Sequence, residues 1–173
     1  MQHNTNDKKY FNKLILKIAD KGKYALEEFH IAYGRMIKVV AKLIVHSKDL
    51  VDEVINDVLV KVWLFSAKRQ YLDKPLGWLY TVISNCAKDK LKECEIYSEL
   101  HENIAVSKSV ESIEDNDEFI RRIEFLNEEE QKILILKFAN GLTFKEIANE
   151  LDLSTSTVSS TYYRSLEKIK NNL

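Results

Sequence analysis

Glycine and proline are scarce in this sequence: its 173 residues include four glycines and one proline. Hairpins and β-sandwiches need these residues in their turns, so the composition argues against an all-β fold. No two glycines lie close together, which excludes the glycine-rich loops that bind nucleotide phosphates. The hydrophobic share of 45% and the charged share of 31% are typical of a chain that folds rather than one that stays disordered.

Cysteine is also scarce, and the two cysteines do not indicate a disulfide framework. Cys86 and Cys94 are eight residues apart, which is about 12 Å along a helix and too far for a disulfide bond. The polar segment 1–9 lacks the apolar core of a signal peptide, and no apolar run is long enough to span a bilayer. We therefore expect a cytoplasmic protein.

Residues that could form a catalytic or metal centre are scattered. The four histidines occur singly along the chain, and no constellation typical of a transferase or a hydrolase is visible. The sequence therefore predicts a protein that is not an enzyme and that has no catalytic residues, no metal site and no cofactor.

The near-zero net charge of −1 hides a strong segregation of charge along the chain. Residues 1–92 contain 17 basic and 10 acidic residues, residues 93–124 contain 3 and 10, and residues 125–173 contain 6 and 7. The middle segment also has several serines and few large apolar residues, as is typical of a linker. The pattern predicts an N-terminal domain at 1–92, an acidic linker at 93–124 and a C-terminal domain at 125–173.

Apolar residues in the N-terminal segment recur at the three- and four-residue spacing of amphipathic helices. The first helix is expected to end near Gly22, and Ser47 is a candidate N-cap for a later one. The stretch Val51–Val62 is rich in valine, but its apolar period is not two, so it also predicts a helix. Pro75 is suited to the first turn of another helix. The fold class expected is all-α.

The C-terminal segment carries sharper helix boundaries. Capping boxes begin at Asn127 and Thr143, Asn140 and Gly141 end the first of these helices, and Ser154 caps a third. The connection 151–153 is too short for antiparallel neighbours, so the last two helices are expected to cross sharply as a helix-turn-helix. The alternatives are a generic three-helix bundle and a protein-binding module.

The sequence contains five notable strings: Asp49–Trp63, Trp78–Asn85, Leu126–Glu130, Gly141–Ala148 and Ser154–Val158. Together they resemble one known family, the bacterial sigma-70 RNA polymerase sigma factors in their extracytoplasmic-function (ECF) form. The resemblance covers about residues 25–91 and 126–173. It implies two helical domains, one like sigma domain 2 and one like sigma domain 4, joined by the acidic linker. It also implies a protein that binds core RNA polymerase, recognises and melts promoter DNA, and starts transcription.

The resemblance assigns roles to three groups of residues. The group that would dock on core RNA polymerase is an acidic helix face, made of Asp49, Asp52, Glu53, Asn56 and Asp57. The group that would bind the minus-ten promoter element consists of Lys68, Arg69, Tyr71, Trp78, Tyr80, Asn85 and Lys88. The group that would enter the major groove at the minus-thirty-five region consists of Thr155, Ser156, Thr157, Ser159, Ser160, Tyr163 and Arg164. Trp63 is expected mostly in the core, and Trp78 fits the core and DNA contact equally well.

The sequence departs from the family pattern in its last two helices. Ser159 and Thr161 stand where the family commonly has cations, and Asp152 stands where it commonly has glycine. Affinity for DNA depends on charge, so a separate recruiter, either DNA-bound or RNA-guided, is a candidate partner beside an anti-sigma factor. The alternative function is that of a helix-turn-helix regulator with a helical sensing or dimerisation domain.

Overall fold

The computed structural model describes residues 8–100 and 115–172. These residues form helices and no strands, as the apolar spacing predicts. The helices are α1 (Lys8–Lys21), α2 (Lys23–Ile44), α3 (Lys48–Ser66), α4 (Pro75–Leu100), α5 (Asp115–Ile123), α6 (Glu128–Phe138), α7 (Phe144–Leu151) and α8 (Thr155–Asn171). In the described part of the chain, no helix is long and apolar enough to cross a membrane.

Helices α1–α4 pack around a cluster of aromatic rings. The ring of Phe11 lies 5.4 Å from Phe29 and 5.0 Å from Tyr33, centroid to centroid. Trp78 joins the cluster from α4, 6.3 Å from Phe11 and 4.5 Å from Phe65. Such ring pairs add about 0.5–1.5 kcal/mol each beyond the area that they bury, so the cluster fixes the first turn of α4 against α1 and α3.

Trp63 is a correction to the sequence prediction, because its side chain is 46% exposed rather than buried. It lies beside the turn between α1 and α2, where Gly22 has a φ of 57°. A Cβ built on this glycine would come 3.6 Å from the indole ring. Val51, Val54, Val58 and Val62 of α3 turn inward instead, and Trp63 covers the edge of the domain.

The predicted linker is partly helical. Helix α4 continues through its first residues, and α5 occupies its end. Ile120 and Ile123 of α5 are buried, and α5 packs against α2. Lys42 of α2 is paired with Asp117 of α5, at 2.7 Å between Nζ and Oδ1. The remaining linker residues, 101–114, lie outside the described residues.

The capping signals of the C-terminal domain are confirmed. Asn127 and Thr143 each accept a hydrogen bond from the backbone N–H three residues on, in reciprocal capping boxes with glutamates. Ser154 caps α8 in the same way through its hydroxyl. The turn between α7 and α8 places Asp152 in the left-handed region, with a φ of 57°. The predicted helix-turn-helix is therefore present.

The buried face of α8 differs in part from the predicted one. Val158 is buried as expected, whereas Tyr162, Leu166 and Ile169 are half-buried. The small polar residues Thr161 and Ser165 are buried instead. The Ser165 hydroxyl donates to the Thr161 carbonyl at 2.8 Å, so it needs no partner on another helix. The small side chains let α8 approach its neighbours closely.

Asn12 holds the loop before α4 in place, and we predict that its loss destabilises the N-terminal domain. Its amide donates to the Lys8 and Leu72 carbonyls at 2.8 and 2.9 Å and accepts from the Leu72 N–H at 2.7 Å. Asn12→Ala removes all three hydrogen bonds, two of which hold the half-buried backbone of Leu72, and should lower the free energy of unfolding by about 1–3 kcal/mol. Urea unfolding followed by circular dichroism measures this. Lys13→Ala, at the exposed next position, is the control, and equal midpoints for the two variants would contradict the assignment.

Glu130 of α6 makes the stability of the C-terminal domain depend on pH. Burial alone would raise its pKa, but the Lys168 ammonium at 2.6 Å and the Asn127 N–H at 3.2 Å hold the pKa of Glu130 below its ordinary value. A carboxyl with a lowered folded-state pKa stabilises the fold above its unfolded pKa of about 4.3, and this stabilisation is lost as the pH falls through the folded-state value.

We therefore expect the thermal unfolding midpoint to fall between about pH 5 and pH 3, with a smaller fall in Glu130→Gln. Thermal melts across this pH range measure the difference. Glu129→Gln changes an exposed neighbour in the same helical turn and should keep the pH dependence of the parent. A Glu130→Gln profile that matches the parent would contradict the assignment.

Candidate nucleic-acid interface

The acidic face of α3 is where the sequence predicts docking on a protein partner. Asp49, Asp52, Glu53 and Asn56 are exposed, and Asp57 is half-buried. Lys90 of α4 also belongs to this surface, although the sequence pattern did not reveal it. Its Nζ lies 3.3 Å from Glu53 and 3.5 Å from Asp57.

Lys90 divides the acidic face into two parts. Its ammonium also pairs with Glu93, and hydrogen bonds to Glu93 and Glu53 raise the pKa of Lys90 above its ordinary value. Glu53 and Asp57 are therefore partly neutralised from within the domain. Asp49 and Asp52 lie nearer the start of α3 and take no part in the Lys90 ion-pair group.

The loop before α4 presents exposed basic and aromatic side chains. Lys68, Arg69 and Tyr71 are all exposed. Arg69 has a φ of 51° and donates to Asp20 of α1 at 2.5 Å. A second ion pair, between Lys8 and Asp73 at 3.4 Å, also holds the loop to the first helix. The Lys8 ammonium lies 5.8 Å from the centre of the Tyr71 ring. This arrangement offers cations and an aromatic face on one loop, which suits a single-stranded nucleic acid.

Helix α4 presents the remaining residues of the predicted minus-ten group unequally. Asn85 and Lys88 are exposed on one face, three residues apart. Trp78 is half-buried, with its ring against Phe65. It therefore serves as a core anchor, and its contact with DNA stays a prediction.

Tyr80 departs from the expected surface position, because it is only 3% exposed. The ammonium of Lys132, on α6, lies 4.8 Å from the centre of its ring. Burial, together with the charge of Glu128, raises the pKa of the Tyr80 phenol. In this conformation the C-terminal domain covers Tyr80, and no DNA strand can contact it.

Helix α8 exposes most of the predicted major-groove group. Thr155, Ser156, Thr157, Ser160, Tyr163 and Arg164 are exposed, and Ser159 is half-buried. The hydroxyls of Ser156 and Thr157 lie 2.8 and 2.7 Å from the capping hydroxyl of Ser154. These two hydroxyls therefore already take part in hydrogen bonds at the start of α8. Arg164 is the cation within the predicted major-groove group.

The described residues hold no group of three or more histidine, cysteine or acidic side chains that could bind a metal ion. The predicted site residues thus form a set of charged and aromatic surfaces.

Comparison with known proteins agrees with this arrangement. The family model for sigma-70, region 4, matches residues 116–169, which begin in α5 and include the helix-turn-helix. No curated protein sequence matches the chain significantly.

Two solved structures share the fold of nearly the whole chain. CnrH, solved in complex with the cytosolic domain of CnrY, superposes with a TM-score of 0.62 at 15% identity, covering 92% of this chain and 94% of that chain. The sigma factor RpoE of Bartonella quintana, solved with the anti-sigma factor NepR, gives a TM-score of 0.56 at 15% identity, covering 84% and 94%. At this level of identity the likeness establishes the fold. Residues 116–169 are thus similar to region 4 of the sigma-70 family, within a chain that has the all-helical fold of these two solved structures.

Proposed function

We propose that this protein binds core RNA polymerase in the cytoplasm, directs it to promoters through the minus-ten and minus-thirty-five regions, and opens the DNA at the start site. The observation that carries the proposal is the match of residues 116–169 to sigma-70 region 4, in a chain whose first domain presents an acidic helix face. A non-catalytic role follows, since the site consists of binding surfaces.

The acidic face of α3 is the proposed contact with core polymerase. Exposed carboxylates attract a basic partner surface and favour a single docking orientation. Asp49 and Asp52 are the part of this face that lies outside the Lys90 ion pairs. They should therefore contribute more to docking than Glu53 and Asp57.

The loop 67–74 and the exposed face of α4 are the proposed contacts with the melted minus-ten element. Melted bases can leave the stack and be bound by stacking and by hydrogen bonds to their edges. Asn85 provides a donor and an acceptor for a base edge, and Lys88 provides a charge for the backbone one turn away. The face of α8 with Arg164 is the proposed contact with the minus-thirty-five region.

An anti-sigma factor is a proposed partner, because both solved structures named above are of complexes, one of them with a protein described as an anti-sigma factor. A recruiter, DNA-bound or RNA-guided, remains part of the proposal. Its support is the small number of cations on the exposed face of α8, where Lys168 is already paired with Glu130. The alternative of a helix-turn-helix regulator differs in one observable: such a regulator binds duplex DNA alone and does not bind core polymerase.

The first prediction from the proposed function concerns the acidic face. Reversing two carboxylates with Asp49→Lys and Asp52→Lys places like charges against a basic partner, and we expect at least a tenfold loss of affinity for core RNA polymerase. Co-purification and a binding titration with purified core enzyme measure it. The double variant Glu27→Lys and Glu167→Lys changes the net charge equally at exposed sites elsewhere and should bind as the parent does.

Equal affinity of the two double variants for the core enzyme would contradict the assignment of the acidic face. Absence of core binding by the parent, together with tight binding to duplex DNA, would favour the regulator. The same co-purification identifies any third component, whether an anti-sigma factor or a recruiter.

The second prediction concerns Asn85. Asn85→Ala removes both hydrogen-bonding groups from the proposed base contact, and such a contact is worth about 1–3 kcal/mol. We expect promoter opening to fall by about fivefold to a hundredfold, while affinity for core polymerase stays unchanged. Permanganate reactivity of melted thymines measures opening, on a promoter identified from the transcripts of the purified holoenzyme. Asn149→Ala, an exposed asparagine on α7, is the matched control, and normal opening by Asn85→Ala would refute the role.

A further inference from the structure

The first turn of α4 binds a carboxylate from the other domain. Oε2 of Glu150, on α7, accepts hydrogen bonds from the backbone N–H groups of Leu76 at 3.0 Å and Gly77 at 2.9 Å. The first N–H groups of a helix have no acceptor within the helix, and a negative charge there is favoured by the helix dipole. Glu150 therefore acts as an N-terminal cap for a helix of the other domain.

Gly77 allows the two helices to approach closely at this point. A Cβ at this position would lie 2.7 Å from the backbone carbonyl oxygen of Glu150, which is closer than real Cβ atoms come to any heavy atom. The next two nearest atoms, both at 3.7 Å, also belong to Glu150. Since the obstacle is backbone, it cannot move aside as a flexible side chain would. A glycine at position 77 is thus required by the packing of the C-terminal domain against α4, and not by contacts within the N-terminal domain.

Charged groups surround this contact on both sides. Lys74, just before α4, forms an ion pair with Asp152 in the turn of the helix-turn-helix. The Lys132 ammonium lies over the Tyr80 ring one turn further along α4. We call the set of Lys74, Gly77, Glu150 and Asp152 the α4–α7 contact.

Asp152 of the α4–α7 contact has an unfavourable backbone conformation for a residue with a side chain. Its φ of 57° lies in the left-handed region, which glycine adopts readily and aspartate adopts less often. Glycine would satisfy the turn equally well but could not pair with Lys74. The aspartate is therefore explained by the contact between domains and not by the turn alone.

The α4–α7 contact lies beside Trp78 and Tyr80, two of the residues that the resemblance assigns to the minus-ten element. Trp78 follows Gly77 directly, and Tyr80, one turn further on, is covered. We infer that this protein is held in a self-inhibited, closed state, in which its own helix-turn-helix domain covers the Tyr80 end of the minus-ten group until the α4–α7 contact separates. The inference rests on the proposed function for the identity of the blocked ligand, while the contact itself rests on the geometry.

Hydrogen exchange tests the contact in the full-length protein. In the closed state the amides of residues 76 and 77 are bonded to Glu150, so NMR should show them protected although they lie in the first turn of a helix. In Gly77→Ala the added methyl group collides with the Glu150 carbonyl, and we expect both amides to exchange at least tenfold faster. Glu150→Ala removes the acceptor from the other side and should have the same effect.

Gly34→Ala is the matched control for Gly77→Ala. Gly34 is also inside a helix, and a Cβ there would meet only the ring of His30, which is the end of a flexible side chain. The control variant should leave the exchange of residues 76 and 77 unchanged. Protection of core amides such as that of Ile83 must persist in every variant, and if Gly77→Ala fails to fold, Glu150→Ala carries the test.

Binding of a fluorescent, single-stranded DNA oligonucleotide of random sequence tests the inhibition. We expect Gly77→Ala to bind it about tenfold more tightly than the parent, equivalent to about 1.4 kcal/mol, and Gly34→Ala to bind as the parent does. Unprotected amides in the parent would overturn the closed state. Faster exchange without tighter DNA binding would overturn the inhibition. Core polymerase binding, measured on the same variants, tests the proposed function separately. A protein whose α4–α7 contact separates but which binds no core enzyme would refute the proposed function without affecting the evidence for the contact.

Discussion

The first turn of α4 is the point on which the arrangement of this molecule depends. On the side that faces the N-terminal domain, it is held by the aromatic cluster of Phe11, Phe65 and Trp78. Its backbone N–H groups point away from the N-terminal domain and are satisfied by Glu150 of the other domain. A helix start needs an acceptor for these groups, and here the acceptor is supplied across the domain boundary. The orientation of the C-terminal domain follows from that need, together with the close approach that Gly77 permits.

The charges of the chain divide into those used internally and those available to partners. Lys42, Lys74 and Lys90 of the basic N-terminal domain are each paired with an acidic side chain. The surplus of basic residues in this domain therefore overstates what is available to DNA. The same holds for the acidic face of α3, since Lys90 engages two of its carboxylates. Ion pairs between helices therefore reduce the charge that each of these surfaces presents to solvent.

Several elements could be predicted from the sequence because their causes are local. The capping boxes at Asn127 and Thr143 and the glycine after α6 act within a few residues, so each sequence pattern specifies its own structure. The start of α4 at Pro75 and the helix-turn-helix follow for the same reason. The helical character of the acidic stretch at 115–123 was missed, because its composition resembled a linker, and its isoleucines are buried only once α2 is beside them.

The residues that were misjudged depend on neighbours that are distant in sequence. Trp63 is exposed because the valines of α3 already fill the core, and Tyr80 is buried because Lys132, more than fifty positions later, lies over its ring. Lys90 and Glu150 carry no local signal of their roles, since an ion pair or a cap made across domains has no fixed spacing in sequence.

The sequence by itself determined most of the helices, the caps of the C-terminal domain, the all-α class and the likeness to a sigma factor, because these depend on periodicity, caps and short strings. Only the tertiary structure decided which charges are free for partners and which face of α4 is covered. The physical reason is that hydrogen bonds and ion pairs between domains act through space, over distances that chain order does not record.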